Sequence, residues 1–308
     1  MFLKTYTPGA ISVVASPSAR ADGGFSALFW LPNRLSKDDF GAYSFVFSLL
    51  IVLSTLGTLG LDRALLMKLA GERANKRSFR GRNLLIAALR LCLPVSAGLA
   101  ILLVLLAETL ATAMSSAVAA WWLQALAVAI VPMAALIILK SWFQANHRIS
   151  VSAVMPGVVD AIRALVVVLA FWAMAGKAGV AVAVMAGCTL PVLWLFVWSR
   201  RAAPDGPTRV ERADVARGGV YALQRISETG FNQIDLILIG LVATDAVTAE
   251  FAVAARLAAL ADTGRMAITP TFLPRARLHL AAENASGLAD EYRMSQALAA
   301  LVALASSS

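Results

Sequence analysis

Charge is scarce in this chain. Only 15% of its 308 residues are Asp, Glu, Lys or Arg, against roughly a quarter in soluble globular domains. With 59% hydrophobic residues and a mean hydropathy of +0.75, the composition excludes a soluble globular fold. It also excludes a disordered chain, which would be poor in apolar residues. Strict alternation of apolar and polar residues is missing too, and unbroken apolar runs take its place, which argues against a transmembrane β-barrel. Cysteine and histidine number two each. Cys92 and Cys188 fall inside apolar segments, where a thiol behaves as a small hydrophobe, so no disulfide is expected. His147 and His279 lie in separate connections. No Cys/His cluster has metal-ligand spacing, and there is no glycine-rich phosphate loop or Gly-x-Ser-x-Gly turn. The sequence therefore predicts neither an enzyme nor a bound cofactor.

What is present is a series of apolar segments, each about the 20 residues that a helix needs to cross a bilayer. They run over Tyr43 to Leu61, Leu84 to Ala107, Trp121 to Leu139, Val151 to Ala175, Val180 to Trp198, Gly219 to Val242 and Phe251 to Leu273. Ala10 to Leu31 is apolar but interrupted by Pro17, Arg20 and Asp22. It reads as a degenerate first span, with a poor signal peptide over Met1 to Ala19 as the alternative. A final run from Ser295 to Ala305 is too short to span, so the chain is expected to stop inside a helix. The expected fold is all-α: a polytopic helical membrane protein with a six-helix first lobe over 1–198, a basic loop over 199–217, and an incomplete second lobe over 218–308.

The net charge of +9 is distributed in a way that suits orientation in a bilayer and not nucleic-acid binding. One set of connections holds Arg73, Lys76, Arg77, Arg80, Arg82, Lys140, Arg148, Arg200, Arg201, Arg209, Arg212, Arg217, Arg275, Arg277 and Arg293. The alternate set holds Arg34, Lys37 and Lys177 among acids such as Asp38, Asp39, Glu108, Asp245 and Glu250. This asymmetry predicts that the first set is cytoplasmic, with the N-terminus on the same side. A weak internal repeat relates Ser36, Gly41, Tyr43, Phe45 and Leu49 to Thr244, Ala249, Phe251, Val253 and Leu257 under one constant shift, as in transporters built from repeated lobes.

Charges within spans are the best candidates for function, because each costs at least ~2.5 to 3.5 kcal/mol at the centre of a helix in lipid. Arg225, Glu228, Asn232 and Asp235 recur at three- and four-residue steps and share an arc of roughly 80° on a helix. That arc predicts a face turned to a wet path. Arg63, Asp160 with Arg163, and Asp262 with Arg265 are further candidates, although each i,i+3 pair also suits simple neutralisation within its helix. Asp38 and Asp39 suggest either a helix cap near Phe40 or the acidic pair of a membrane glycosyltransferase.

The sequence resembles bacterial polysaccharide flippases of the multidrug/oligosaccharidyl-lipid/polysaccharide exporter superfamily. The resemblance is carried by Leu35-Ser36-Lys37-Asp38-Asp39-Phe40-Gly41-Ala42-Tyr43 and Leu59-Gly60-Leu61 before a basic loop. It continues in Ile234-Asp235-Leu236-Ile237-Leu238-Ile239-Gly240, Phe251-Ala252-Val253-Ala254-Ala255-Arg256-Leu257 and Pro274. It implies two helical lobes around a cavity that opens alternately to either face of a bacterial inner membrane. The implied cargo is a lipid-diphosphate-linked oligosaccharide, with polysaccharide-assembly proteins as partners and a proton or sodium ion as coupling ion. A drug or small-amphiphile exporter of the same superfamily, the glycosyltransferase using Asp38 and Asp39, and a nonfunctional fragment are the alternative readings.

Overall fold

The computed structural model describes residues 35–74, 81–116, 118–146, 176–200 and 212–255, with a few isolated positions beyond. Every element among them is helical: α1 (Lys37–Gly57), α2 (Leu61–Ala74), α3 (Arg82–Ala113), α4 (Ala119–Ala127), α5 (Ile130–Asn146), α6 (Lys177–Ser199) and α7 (Arg212–Val242). A further helical stretch covers 245–255. The expected spans over Ala10 to Leu31 and Val151 to Ala175 lie outside the described residues.

Local sequence explains where these helices start and break. Ser36 caps α1: its Oγ accepts from the Asp39 backbone N–H and donates to the Asp39 carboxylate, so the hydroxyl satisfies an otherwise unpaired first-turn N–H. Asp38 and Asp39 are thus first-turn acids, favourable at the positive end of the helix, and Ser36 is the cap itself. The segment expected as one span from Trp121 to Leu139 is instead two helices, α4 and α5, bent by 49°. Pro132 accounts for the break, since it has no N–H to give the Val128 carbonyl and its ring crowds that oxygen. Pro94 and Pro191, by contrast, sit inside α3 and α6, which run on through them. Between α1 and α2 the chain unwinds over Thr58 to Gly60, where Leu59 (φ 53°) and Gly60 (φ 68°) are both left-handed.

Among the described residues three helices are long and apolar enough to cross a membrane, α1, α3 and α6, and the bent α4–α5 pair reaches that length and hydropathy only when taken together. Helix α7 has the length, at 31 residues, but its polar residues keep it out of that group. Burial divides centre from periphery: 72% of the apolar window of α1 is buried and only 28% of that of α3. Helix α1 is therefore the core of the bundle, while α3 exposes Ile101, Leu102 and Leu105, as a lipid-facing helix would.

Tyr43 stacks on Phe47 at 5.7 Å and meets the edge of the fully buried Trp122 at 5.4 Å, which locks α1 against α4. A second cluster joins α2, α3, α5 and α6 through Leu69, Leu85, Ile138, Leu139 and Leu195. There Trp142 donates to the Gly81 carbonyl at 3.2 Å, and Phe143 stacks on Trp198 at 5.0 Å. The bundle consequently has a Lys37 end and an Arg82 end. Helix α7 packs most extensively on α1 and next on α2.

Candidate functional site

Helix α7 turns one stripe to the bundle. Ala222, Ile226, Thr229, Gln233, Leu236, Ile237 and Gly240 are partly or wholly buried, and on a helical projection the arc of Arg225, Glu228, Asn232 and Asp235 lies about 100° to one side of them. Arg225 sits on the boundary between the two faces, so its side chain can run along the seam. The seam is tight because Gly240 has no side chain; a Cβ there would strike the ring of Phe45 on α1.

Near the middle of α7, Glu228 takes two cationic partners. Arg225, one turn earlier, places Nη1 3.5 Å from Glu228 Oε2, and Arg63 on α2 brings Nη2 to 3.5 Å from the same oxygen. Arg63 reaches this point because α1 unwinds at Thr58 to Gly60 and restarts as α2, carrying it to the seam. Two guanidinium groups facing one carboxylate leave a net positive charge. The Nε of Arg225 is buried and has no hydrogen-bond partner, although the side chain as a whole is 32% exposed. The cluster is therefore half-open and retains one unpaired N–H donor. Asp62, next to Arg63, points elsewhere: it is buried and lies 3.4 Å from Thr58 Oγ1.

Of the residues expected from sequence, Arg63, Arg225 and Glu228 are brought together. Asn232 and Asp235 share the arc but are exposed and outside the cluster. Asp160, Arg163, Asp262 and Arg265 lie outside the described residues. No group of His, Cys, Asp and Glu among the described residues is arranged to hold a metal ion.

A second polar cluster, not singled out as a site from sequence, gathers at the Lys37 end. Asp245 opens the helical stretch over 245–255 that follows α7 and accepts a hydrogen bond from Ser116, whose Oγ also accepts from the Ala119 N–H at 3.1 Å. The Asp245 carbonyl abuts Gly41 of α1, leaving no room for a Cβ. Lys37 pairs with Glu250 at 3.2 Å, and Lys177 lies over the Trp121 ring at 5.1 Å. Asp39 is occupied on both oxygens, Oδ2 by Ser36 and Oδ1 by the Trp122 indole N–H at 3.1 Å. It therefore orients α1 against α4. Burial pushes the Asp245 carboxyl above the usual carboxylate range, Ser116 opposes that by hydrogen-bonding the charged form, and the charges of Asp38 and Asp39 raise it further. The signal that could have found this cluster was the repeat: Ser36 and Thr244 both precede helices, and the two helix starts meet.

A bundle of apolar helices that draws arginines from two distant segments onto one carboxylate is a polytopic membrane protein with a polar seam. The chain belongs to the polysaccharide biosynthesis protein family, whose family model matches residues 24–275. The match spans both arginines of the seam and both sides of the Lys37-end cluster. Members of this family are typically flippases and exporters. No curated protein and no solved structure matches the chain significantly.

Proposed function

We propose that the protein moves a lipid-diphosphate-linked glycan from the cytoplasmic to the outer leaflet of a bacterial inner membrane by alternating access, as a transporter and not an enzyme. The observation that carries this reading is the convergence of Arg63 and Arg225 on Glu228 with the Arg225 Nε unpaired. In water a diphosphate would need no such partner. Away from bulk water it needs fixed cationic donors, and a guanidinium presents them in a planar fork that matches two phosphate oxygens. Glu228 holds the two arginines side by side and oriented until the anion displaces it. The chain then divides into a first lobe containing α1 to α6 and a second lobe beginning with α7. The exposed Asp235, or Asp262, is the candidate site for a coupling proton or sodium ion. Polysaccharide-assembly proteins are the expected partners.

The test is complementation of a flippase-deficient strain, with membrane levels of each variant measured in parallel. Arg225→Ala should cut glycan export about tenfold to a hundredfold, the loss expected when one charge-assisted hydrogen bond of ~1.5 to 3 kcal/mol is removed, while the inserted amount stays normal. Arg225→Lys should recover only part of it. Full export by both Arg225→Ala and Arg63→Ala at normal expression would return the cluster to a purely structural role.

A further inference from the structure

We infer that Asp245, bonded to Ser116 and seated on Gly41, is a proton-operated latch that holds the chain from α7 onward against α1 and α4 at the Lys37 end. What the latch does for cargo rests on the reading above; the latch itself rests on contacts within this cluster alone.

Asp245 is the point where the later segment touches the earlier one twice, once through its carboxylate and once through its backbone. The backbone contact is independent of charge: it needs only the absence of a Cβ at Gly41. The carboxylate contact depends on charge. Asp38 and Asp39, in the first turn of α1, act on it by repulsion. The connection from Ser115 to Val118 and α4 bring no titratable group among their described residues, only the Ser116 hydroxyl, and the end of α7 brings none. Lys37 is engaged by Glu250, in a pair with both side chains about 70% exposed, so it neutralises Asp245 poorly. An ionised Asp245 in this position is a partly desolvated carboxylate facing two others, whereas the neutral acid keeps its hydrogen bond with Ser116 and loses the repulsion.

The direction follows from linkage. The carboxyl holds its proton more tightly in the closed arrangement than when separated and solvated, so closure takes up a proton. The contribution of the latch is full below the ordinary carboxylate pKa and is lost as pH rises through the elevated value. A proton arriving at the Lys37 end therefore favours closure at that end, and its departure releases the later segment.

The experiment uses the full chain in liposomes with Cys92 and Cys188 replaced by alanine and spin labels at Lys177→Cys and Val247→Cys, on opposite sides of the latch. Pulsed electron resonance should show a short-distance population that is lost as pH is raised. Asp245→Asn should keep it at every pH. Asp38→Asn, an exposed change that leaves packing alone, should move the midpoint to lower pH, and Ser116→Ala should move it higher. A distance distribution that ignores pH, or an Asp245→Asn variant that titrates like the parent, would overturn the latch. Neither outcome depends on cargo, so the glycan reading can fail while the latch stands, and the reverse.

Discussion

Gly41 and Gly240 are single residues whose importance appears only when their neighbours are known. A Cβ at Gly41 would enter the Asp245 main chain, and one at Gly240 would enter the ring of Phe45, which is 1% exposed. Gly41→Ala and Gly240→Ala should each destabilise the protein by about 1 to 3 kcal/mol, the usual cost of overpacking a close contact. Gly230 is the internal control, with open space where its Cβ would be; Gly230→Ala should be neutral or stabilising by up to about 1 kcal/mol through helix propensity. Heating in detergent followed by size-exclusion chromatography ranks the three, and a Gly41→Ala protein as stable as Gly230→Ala would show that the α1 contact is loose. Arg225, Glu228 and Arg63 were legible from sequence because a charge in an apolar segment is anomalous wherever its partner lies. Glycine in a membrane helix is ordinary, so Gly41 and Gly240 carried no such mark.

At the scale of elements, apolar length was a good guide to helix existence among the described residues and a poor guide to continuity. The run from Trp121 to Leu139 is uniformly apolar, yet it folds as α4 and α5 with a 49° bend, because hydropathy does not register the missing N–H of Pro132. Pro132→Ala restores that donor to the Val128 carbonyl. The distance between labels at Gln124→Cys and Gln144→Cys, both on exposed positions, should lengthen as the two helices straighten. An unchanged distance would assign the bend to packing against α1 and α3. Helix α7 shows the complementary case. Its polar arc followed from residue spacing, but the division of that arc into a paired half, Arg225 with Glu228, and an exposed half, Asn232 with Asp235, came from which neighbour each turn of the helix met.

For the whole molecule, the charged residues that the structure describes near the helix ends fall into two groups, one at each end of the bundle. Lys37, Asp38, Asp39, Lys177, Asp245 and Glu250 assemble at one end through the Trp122, Trp121 and Ser116 contacts. Arg82 and Arg200 lie with the Trp142, Phe143 and Trp198 group at the other. If the excess of Lys and Arg marks the cytoplasmic face, an impermeant thiol reagent applied to intact cells should label Val247→Cys and spare Arg200→Cys. The opposite pattern would invert the topology and place the Asp245 cluster inside the cell.

The sequence by itself determined the solvent and the helical class. An excess of apolar residues in runs of bilayer length has no stable alternative to helices in lipid, where every backbone polar group must be satisfied within its own segment. It also determined which charges were out of place, since that judgement needs only the apolar context along the chain. Tertiary structure alone decided their partners: that Arg63 on α2 reaches Glu228 on α7, that Asp39 is held by Trp122, and that Asp245 closes onto Ser116 and Gly41. The physical reason is range. Hydropathy and helical period act over neighbouring residues, whereas an ion pair between distant segments depends on the crossing of whole helices, and in lipid that crossing is set by van der Waals fit and by where a glycine lets two backbones approach.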